Sequence, residues 1–306
     1  MCKNKKKTCD EQEKTPLIKK ARAKFLSQNL AIQLIAYNPE SELLKSYSNS
    51  YYCCSVLLQS GKELKSKYCK NRWCALCNRI RTAKAMNAYL PAIEKMGDVY
   101  FVTLTKKTVE EKNLKTSMNL MESTWRSILM SRENKQYRKI KGLRKIENTS
   151  RPQGKYHYHF HILIKGKENA DWLVSEWLRR MGGEANAKAQ DVRKADERSL
   201  KEMFKYFSKL TVQNKDKERE LIDYKRMDVI FRSMRGKRVY QGFGGLKSES
   251  EDFEEIQTQE YDFLESCEKV WNWRSDDWID EWGECLTGYS PSDKFKEIFL
   301  SKKEIN

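Results

Sequence analysis

No run of about 18 apolar residues occurs in this chain, so a membrane-spanning helix is not expected. The N-terminal "MCKNKKKTCDEQEK" is basic but has no apolar stretch behind it, which argues against a signal peptide and for a reducing, cytoplasmic setting. Internal repeats and low-complexity tracts are missing too. Histidine is nearly absent, with three residues in 306, and all three fall in "KYHYHFHILIK", Lys155 to Lys165. Imidazole chemistry anywhere else in the chain is therefore excluded.

Charge, by contrast, is abundant. Charged residues make up 34% of the chain and the formal net charge is +17. Ser248 to Cys285 holds fourteen acidic and two basic residues, a local charge of -12, so the remaining residues carry +29. A body that basic points to a polyanion partner, because Lys and Arg release counterions from phosphates. The acidic segment reads as a solvated appendage, its tryptophans Trp271, Trp273, Trp278 and Trp282 pinning a terminal helix onto the body.

Periodicity predicts a mixed α+β chain. Leu17, Ala21, Phe25, Leu30 and Leu34 keep helical spacing up to the turn at Asn38-Pro39. "DVYFVTLT" (98–105) reads as a strand, and Leu114, Met118, Met121, Trp125 and Ile128 mark a helix. "GLRKIENT" (142–149) and "KYHYHFHILIK" form two strands around the turn-prone "SRPQG". A helix with Leu173, Trp177 and Met181 stops at Gly182-Gly183, "QDVRK" is a short strand, and "SLKEMFKYFSKL" is a helix. Leu221, Tyr224, Met227, Phe231 and Met234 mark one more. The order β-α-β-β-α-β predicts a ferredoxin-like split βαβ arrangement, a largely antiparallel sheet with helices on one side. Four segments are expected: a basic extension with a helix (1–50), a cysteine module (51–94), the main domain (95–247) and the acidic, Trp-rich tail (248–306).

Side chains alternate along a strand, so His157, His159 and His161 face one way, about 6.5–7 Å apart from one to the next. Neighbouring pairs can share an ion, either His157 with His159 or His159 with His161. The second pair has the firmer flank, since "ILI" continues as a buried strand. A third ligand must be a carboxylate, a thiolate or water, and Glu147 lies across the hairpin. An N,N,O site with open positions suits Mg²⁺ or Mn²⁺ gripping phosphate oxygens.

A second group of metal-ligand types lies upstream. "YCKNRWCALCNR" places Cys69, Cys74 and Cys77 at C-x4-C-x2-C, with Cys53 and Cys54 before them. Four thiolates at this spacing fit structural Zn²⁺, with Cys54 taken as the fourth ligand and Cys53 as its alternative. A disulfide reading is weak in a reducing compartment. Arg72, Trp73, Arg79 and Arg81 interleave charge and aromatic surface, as single-stranded nucleic acid binding requires. Cys2, Cys9, Cys267 and Cys285 read as free thiols.

Hydrophobic–His–hydrophobic–His–hydrophobic on a strand resembles the HUH endonucleases, and the wider pattern is similar to the rolling-circle replication initiators of small bacterial plasmids. "FVTLT" at Phe101–Thr105 resembles their first motif, "HYHFHILI" the second and "EMFKYFSK" at Glu202–Lys209 the third, over roughly residues 69 to 245. Such initiators often carry a cysteine cluster ahead of the first motif. The resemblance implies an HUH nicking endonuclease that attacks origin DNA with Tyr206, leaving a 5′-phosphotyrosine and a free 3′-hydroxyl. It also implies that Glu202, where some relatives have a second tyrosine, activates water. Single-stranded DNA at an origin hairpin, a host helicase and a host polymerase are the implied partners.

Lys205 and Lys209 flank the tyrosine, and Lys237 and Arg238 in "GKRVYQGFGGLK" are candidate phosphate contacts, with Arg79 in the cysteine module. Ser199 and Glu202 also read as an S-x-x-E capping box, which would explain Glu202 without chemistry. Two rival readings stand beside the initiator: a transposase or mobilisation relaxase with the same chemistry, and a non-catalytic zinc-containing nucleic-acid-binding regulator.

Overall fold

The computed structural model describes residues 16–204, 212–213, 220–248 and 267–300. It is a mixed α+β protein with antiparallel sheets. In chain order the elements begin with helices α1 (Pro16–Tyr37) and α2 (Leu44–Tyr52) and the hairpin β1 (Val56–Ser60) to β2 (Glu63–Ser66). Helix α3 (Ala75–Glu94), strands β3 (Val99–Thr105) and β4 (Val109–Glu110) and helix α4 (Glu111–Met130) follow. Then come β5 (Gly142–Arg151), β6 (Lys155–Lys165), α5 (Lys167–Met181), β7 (Asp191–Lys194) and α6 (Glu197–Phe204). After the short β8 (Val212–Gln213) and β9 (Glu220–Leu221) the chain forms α7 (Tyr224–Met234), β10 (Tyr240–Phe243), β11 (Lys269–Arg274), β12 (Asp277–Ile279) and α8 (Asp293–Leu300). Among the described residues no helix is long and apolar enough to cross a membrane.

The chain divides into two compact units. Thr82–Val212 and Val229–Glu254 form the unit that contains the histidines. Its sheet has the order β10-β5-β6-β3-β7, with β4 added beside β6, and every pairing is antiparallel. Alternation along β6 sorts its side chains onto two faces. Tyr158, Phe160, Ile162 and Ile164 join Val102, Leu104 and Ile146 against the apolar stripes of α4 (Leu114, Met118, Met121, Trp125, Ile128) and α5 (Ala170, Leu173, Trp177). Those stripes sit at helical spacing, so burying one face of each helix is what fixes it on the sheet. The other face carries Val99, Phe101, Leu143 and Leu163, packed with Ala85, Tyr89 and Ile93 of α3 and Met203 and Phe204 of α6. Helices therefore cover both faces of the sheet rather than one, and the histidines lie on the face shared with α3 and α6.

The other unit comprises Met1–Arg81, Gln213–Asp228 and Glu255–Asn306. Its sheet runs β12-β11-β1-β2. Among the described residues, three of the four tryptophans of the acidic segment lie on strands rather than on a terminal helix. Trp271 and Trp273 lie on β11 and Trp278 on β12, and β11 pairs with β1 from Val56↔Asn272 to Gln59↔Lys269. Trp271 and Trp278 are buried with Cys53, Cys54, Leu57, Cys74 and Cys77 in one core. Alternating tryptophans bury more area on a sheet than acidic flanks cost, so composition alone misplaces them.

Candidate metal centre

The β5–β6 hairpin sets the geometry. Its register pairs Glu147 with His159, Lys145 with His161 and Thr149 with His157, so all six side chains share one face. β3 supplies the other wall, with Thr103 opposite His161 and Thr105 opposite His159. Glu147 Oε2 lies 3.3 Å from His161 Nε2 and 3.8 Å from His159 Nε2. The ligand atoms of Glu147, His159 and His161 all fall within 4.8 Å of one another, as a shared cation requires.

His157 takes no part in this group. Its Nε2 meets Thr105 Oγ1, its Nδ1 lies 3.0 Å from Arg151 Nη2, and its ring stacks on His159 at 4.9 Å between centroids. The strand twists, and the outermost imidazole is held by Thr105 and Arg151 instead.

The tautomer of His159 follows from its partners. Nδ1 is 3.1 Å from the His157 carbonyl, an acceptor only, so Nδ1 carries the proton and Nε2 presents a lone pair. That lone pair faces the Glu147 carboxylate, acceptor against acceptor, which is an arrangement a cation satisfies. Burial lowers His159 to about 3, so the ring is neutral and ligand-ready at physiological pH. Burial together with the Arg151 charge lowers His157 to about 4. For Glu147 burial pushes the pKa up, but the His161 hydrogen bond and the charge of Lys145 outweigh it. They hold the carboxyl well below the usual carboxylate range. The residues present fit a divalent ion.

Lys145 is a member of the face that the motif reading passed over. It is 3% exposed, and its Nζ donates to Glu147 Oε2 at 3.2 Å and to the Glu202 carbonyl at 3.1 Å. Its position two residues before Glu147 was the available signal, since period-two spacing puts both on one face.

Helix α6 brings Glu202 to this side of the sheet, with Phe204 packed on Tyr240 at 5.7 Å between rings. A Ser199–Glu202 capping box does not form. Asp196 caps the helix, its Oδ1 accepting from both the backbone N–H and the hydroxyl of Ser199 at 2.7 Å. The half-buried Glu202 side chain is thus not explained by capping. Tyr206, Lys205 and Lys209 lie outside the described residues.

In the other unit the sulfurs of Cys53, Cys69, Cys74 and Cys77 gather within 4.8 Å of one another. Cys53, given above as the alternative, completes the group, and Cys54 does not join it. Cys54 adopts a left-handed backbone, φ 57°, which turns its thiol away from its neighbour's and toward Ser66 and Tyr68. Backbone N–H groups of Cys69, Asn71 and Cys77 donate to sulfurs of the cluster at 3.4 to 3.5 Å, and Ser27 Oγ lies 3.5 Å from Cys74 Sγ. Hydrogen bonds from Cys53, Cys69 and Cys77 hold the Cys74 thiol well below its usual range. The wholly buried Lys24, bonded to the Tyr51 carbonyl at 2.6 Å and Ser55 Oγ at 2.9 Å, lies beside the sulfurs, and burial lowers its pKa. Four sulfurs gathered at this separation and supported by N–H donors also fit a metal ion.

The remaining candidate cations fall in separate places. Arg79 is in the cysteine unit at the start of α3, and partial burial lowers its pKa. Lys237 and Arg238 line a cavity of about 260 Å³ with Arg126, Arg144 and Gln241. Arg144 alternates with Lys145 along β5, so this cavity opens on the opposite face of the sheet from the histidines. Its guanidinium is buried, bonded to Glu122 at 3.1 Å and Gln241 at 2.9 Å. Glu122 also accepts from Tyr158 Oη at 2.6 Å, and Arg126, Lys237 and Arg238 are the other basic residues that line the cavity.

Two imidazoles and a carboxylate thus converge on an antiparallel sheet in a group that could hold a metal ion. Residues 61–169 match the family profile described as "Replication protein". "Protein rep" of Staphylococcus aureus is 24% identical over 230 residues, covering 68% of this chain and 95% of that protein. "Protein rep" of Lentilactobacillus hilgardii is 27% identical over 125 residues, 37% of this chain and 39% of that protein. No solved structure matches the chain. The family match spans β3, β5 and β6, and with them Glu147 and all three histidines.

Proposed function

We propose that the chain is a rolling-circle plasmid replication initiator that nicks single-stranded origin DNA and holds the cut end on Tyr206. The sheet order supports an HUH reading: from β7 through β3 and β6 to β5, the strands of the β-α-β-β-α-β unit stand fourth, first, third, second, all antiparallel, the ferredoxin-like arrangement. The observation that carries the function is the placing of α6. The helix that leads into Tyr206 packs on the histidine face and is joined to Glu147 through Lys145.

His159, His161 and Glu147 hold the divalent ion in this reading, Mg²⁺ or Mn²⁺, which when bound polarises a non-bridging phosphate oxygen. The Tyr206 hydroxyl forms the new bond to phosphorus. The bond from phosphorus to the 3′-oxygen breaks, and the tyrosine proton passes to that oxygen, giving a free 3′-hydroxyl for a polymerase. Glu202, free of the capping role, takes a proton from water when the phosphotyrosine is hydrolysed at termination. The Cys53, Cys69, Cys74 and Cys77 cluster holds Zn²⁺ as a structural staple.

The test is a denaturing gel of purified protein with end-labelled single strands from its own replicon, with Mn²⁺, with EDTA and with Tyr206→Phe. A slow covalent band that needs both the metal and Tyr206 is the expected result. Tight binding with no adduct on any strand would overturn nicking and favour a non-catalytic regulator.

A further inference from the structure

Lysine is among the residues least often buried, because its ammonium must recover in the protein the hydrogen bonds it gives up in water. Lys145 meets that condition with two named partners. One is Glu147 Oε2 at 3.2 Å, and the other is the backbone carbonyl of Glu202 at 3.1 Å. The first belongs to the candidate metal group and the second to α6. The oxygen involved matters. Oε2 is the same atom that lies 3.3 Å from His161 Nε2 and 3.8 Å from His159 Nε2. A divalent ion held by Glu147 and the two histidines would therefore share this carboxylate with the lysine ammonium.

We infer that Lys145 is a positioning residue that couples the metal group to α6, sharing Glu147 with the ion while holding that helix by the Glu202 carbonyl. The inference rests on the nicking reading given above for the role of that helix. Two effects of opposite sign follow from one side chain. Its charge repels a cation arriving at Glu147, and its hydrogen bond keeps α6 seated on the histidine face. A lysine serving only as a fold staple would not divide its effects in this way, because loosening the site would weaken metal binding and helix order together.

Full-length protein freed of Mg²⁺ and Mn²⁺ provides both readouts without DNA. Calorimetric titration with Mn²⁺ at neutral pH measures the first, and hydrogen exchange of the segment 197–204 measures the second. Lys145→Met is expected to tighten Mn²⁺ binding by at least about threefold, since a unit charge at hydrogen-bond distance is removed. It is also expected to speed exchange in α6 by about tenfold. Lys145→Gln removes the charge but keeps a donor, so it should tighten Mn²⁺ binding equally and disturb α6 less. Unchanged or weaker Mn²⁺ affinity in a folded neutral variant, or unaltered α6 exchange in Lys145→Met, would overturn the assignment. If neither variant folds, the wild type decides: Mn²⁺ saturation must change α6 exchange at least about twofold, and no change refutes the coupling. Failure of the wild type to form a covalent adduct would remove the nicking reading while leaving these two measurements intact.

Discussion

Glu147 lies opposite His159 in the strand register, yet its carboxylate oxygen is closer to His161, 3.3 Å against 3.8 Å. The diagonal contact gathers three candidate ligands from two strands at one point. It also leaves His157 to Thr105 and Arg151.

The first prediction concerns that division. Glu147→Gln and His161→Ala should each weaken Mn²⁺ binding by about 100-fold or more, and His157→Ala by less than about tenfold, the scale set by losing a ligand against losing a supporting residue. Calorimetric titration of the three variants checks the order. An equal loss in His157→Ala would mean that the ion sits between His157 and His159.

The cysteines give a second prediction. Cys53→Ser should lose the bound metal and melt at least several degrees lower, because a structural site contributes folding energy directly. Cys54→Ser should keep full metal content, since its thiol faces Ser66 and Tyr68. Elemental analysis of both purified variants decides it.

The cavity on the far face predicts a change in salt dependence. If Arg126, Lys237 and Arg238 contact phosphates of bound DNA, replacing any one by Glu should weaken single-stranded binding uniformly across sequences. Each loss should also reduce the salt slope by about 0.7. Fluorescence anisotropy at several salt concentrations measures this. An unchanged slope would take the cavity out of the DNA path.

The depressed histidines predict a pH dependence of the metal-free protein. His159 at about 3 and His157 at about 4 stay neutral in the folded state between roughly pH 4 and 6.5. In the unfolded chain both bind protons across that window. The unfolded state thus carries more protons, and stability falls as pH drops through 6.5. Thermal melts in EDTA should show the decline, and His157→Asn with His159→Asn should flatten it. A wild-type melting temperature that holds steady from neutral pH to pH 5 would contradict the assignment.

Much of the site was legible in sequence because it depends on period two. His159, His161 and Glu147 follow from strand alternation and a short hairpin, and the apolar stripe from Leu114 to Ile128 fixes its helix by the same kind of reasoning. Other features turn on competitions that spacing does not resolve. Cys53 and Cys54 are adjacent, and a single left-handed backbone angle at Cys54 selects between them. Asp196 and Ser199 are both good capping residues, and the cap depends on which turn the helix begins with. Arg144 and Lys145 are charges in a strand, and spacing alone does not show that β5 is covered on both faces, so that each is buried against a partner. Trp271 and Trp278 sit in an acidic segment and still enter a core, because large aromatic area outweighs flanking charge.

The pairing of β1 with β11 also governs how the protein is made. Gln59 and Trp271, bonded to each other at 2.8 Å, are 212 residues apart in the chain. A ribosome that has released β1 and the cysteines must still synthesise the histidine strand and α6 before the partner strand exists. Until then one edge of the sheet is open, and a long loop must close to seal it. Nascent chains and prematurely terminated products therefore carry an unpaired strand edge beside free thiols, a state prone to aggregation and proteolysis. Cellular supply of the folded protein is tied to complete translation.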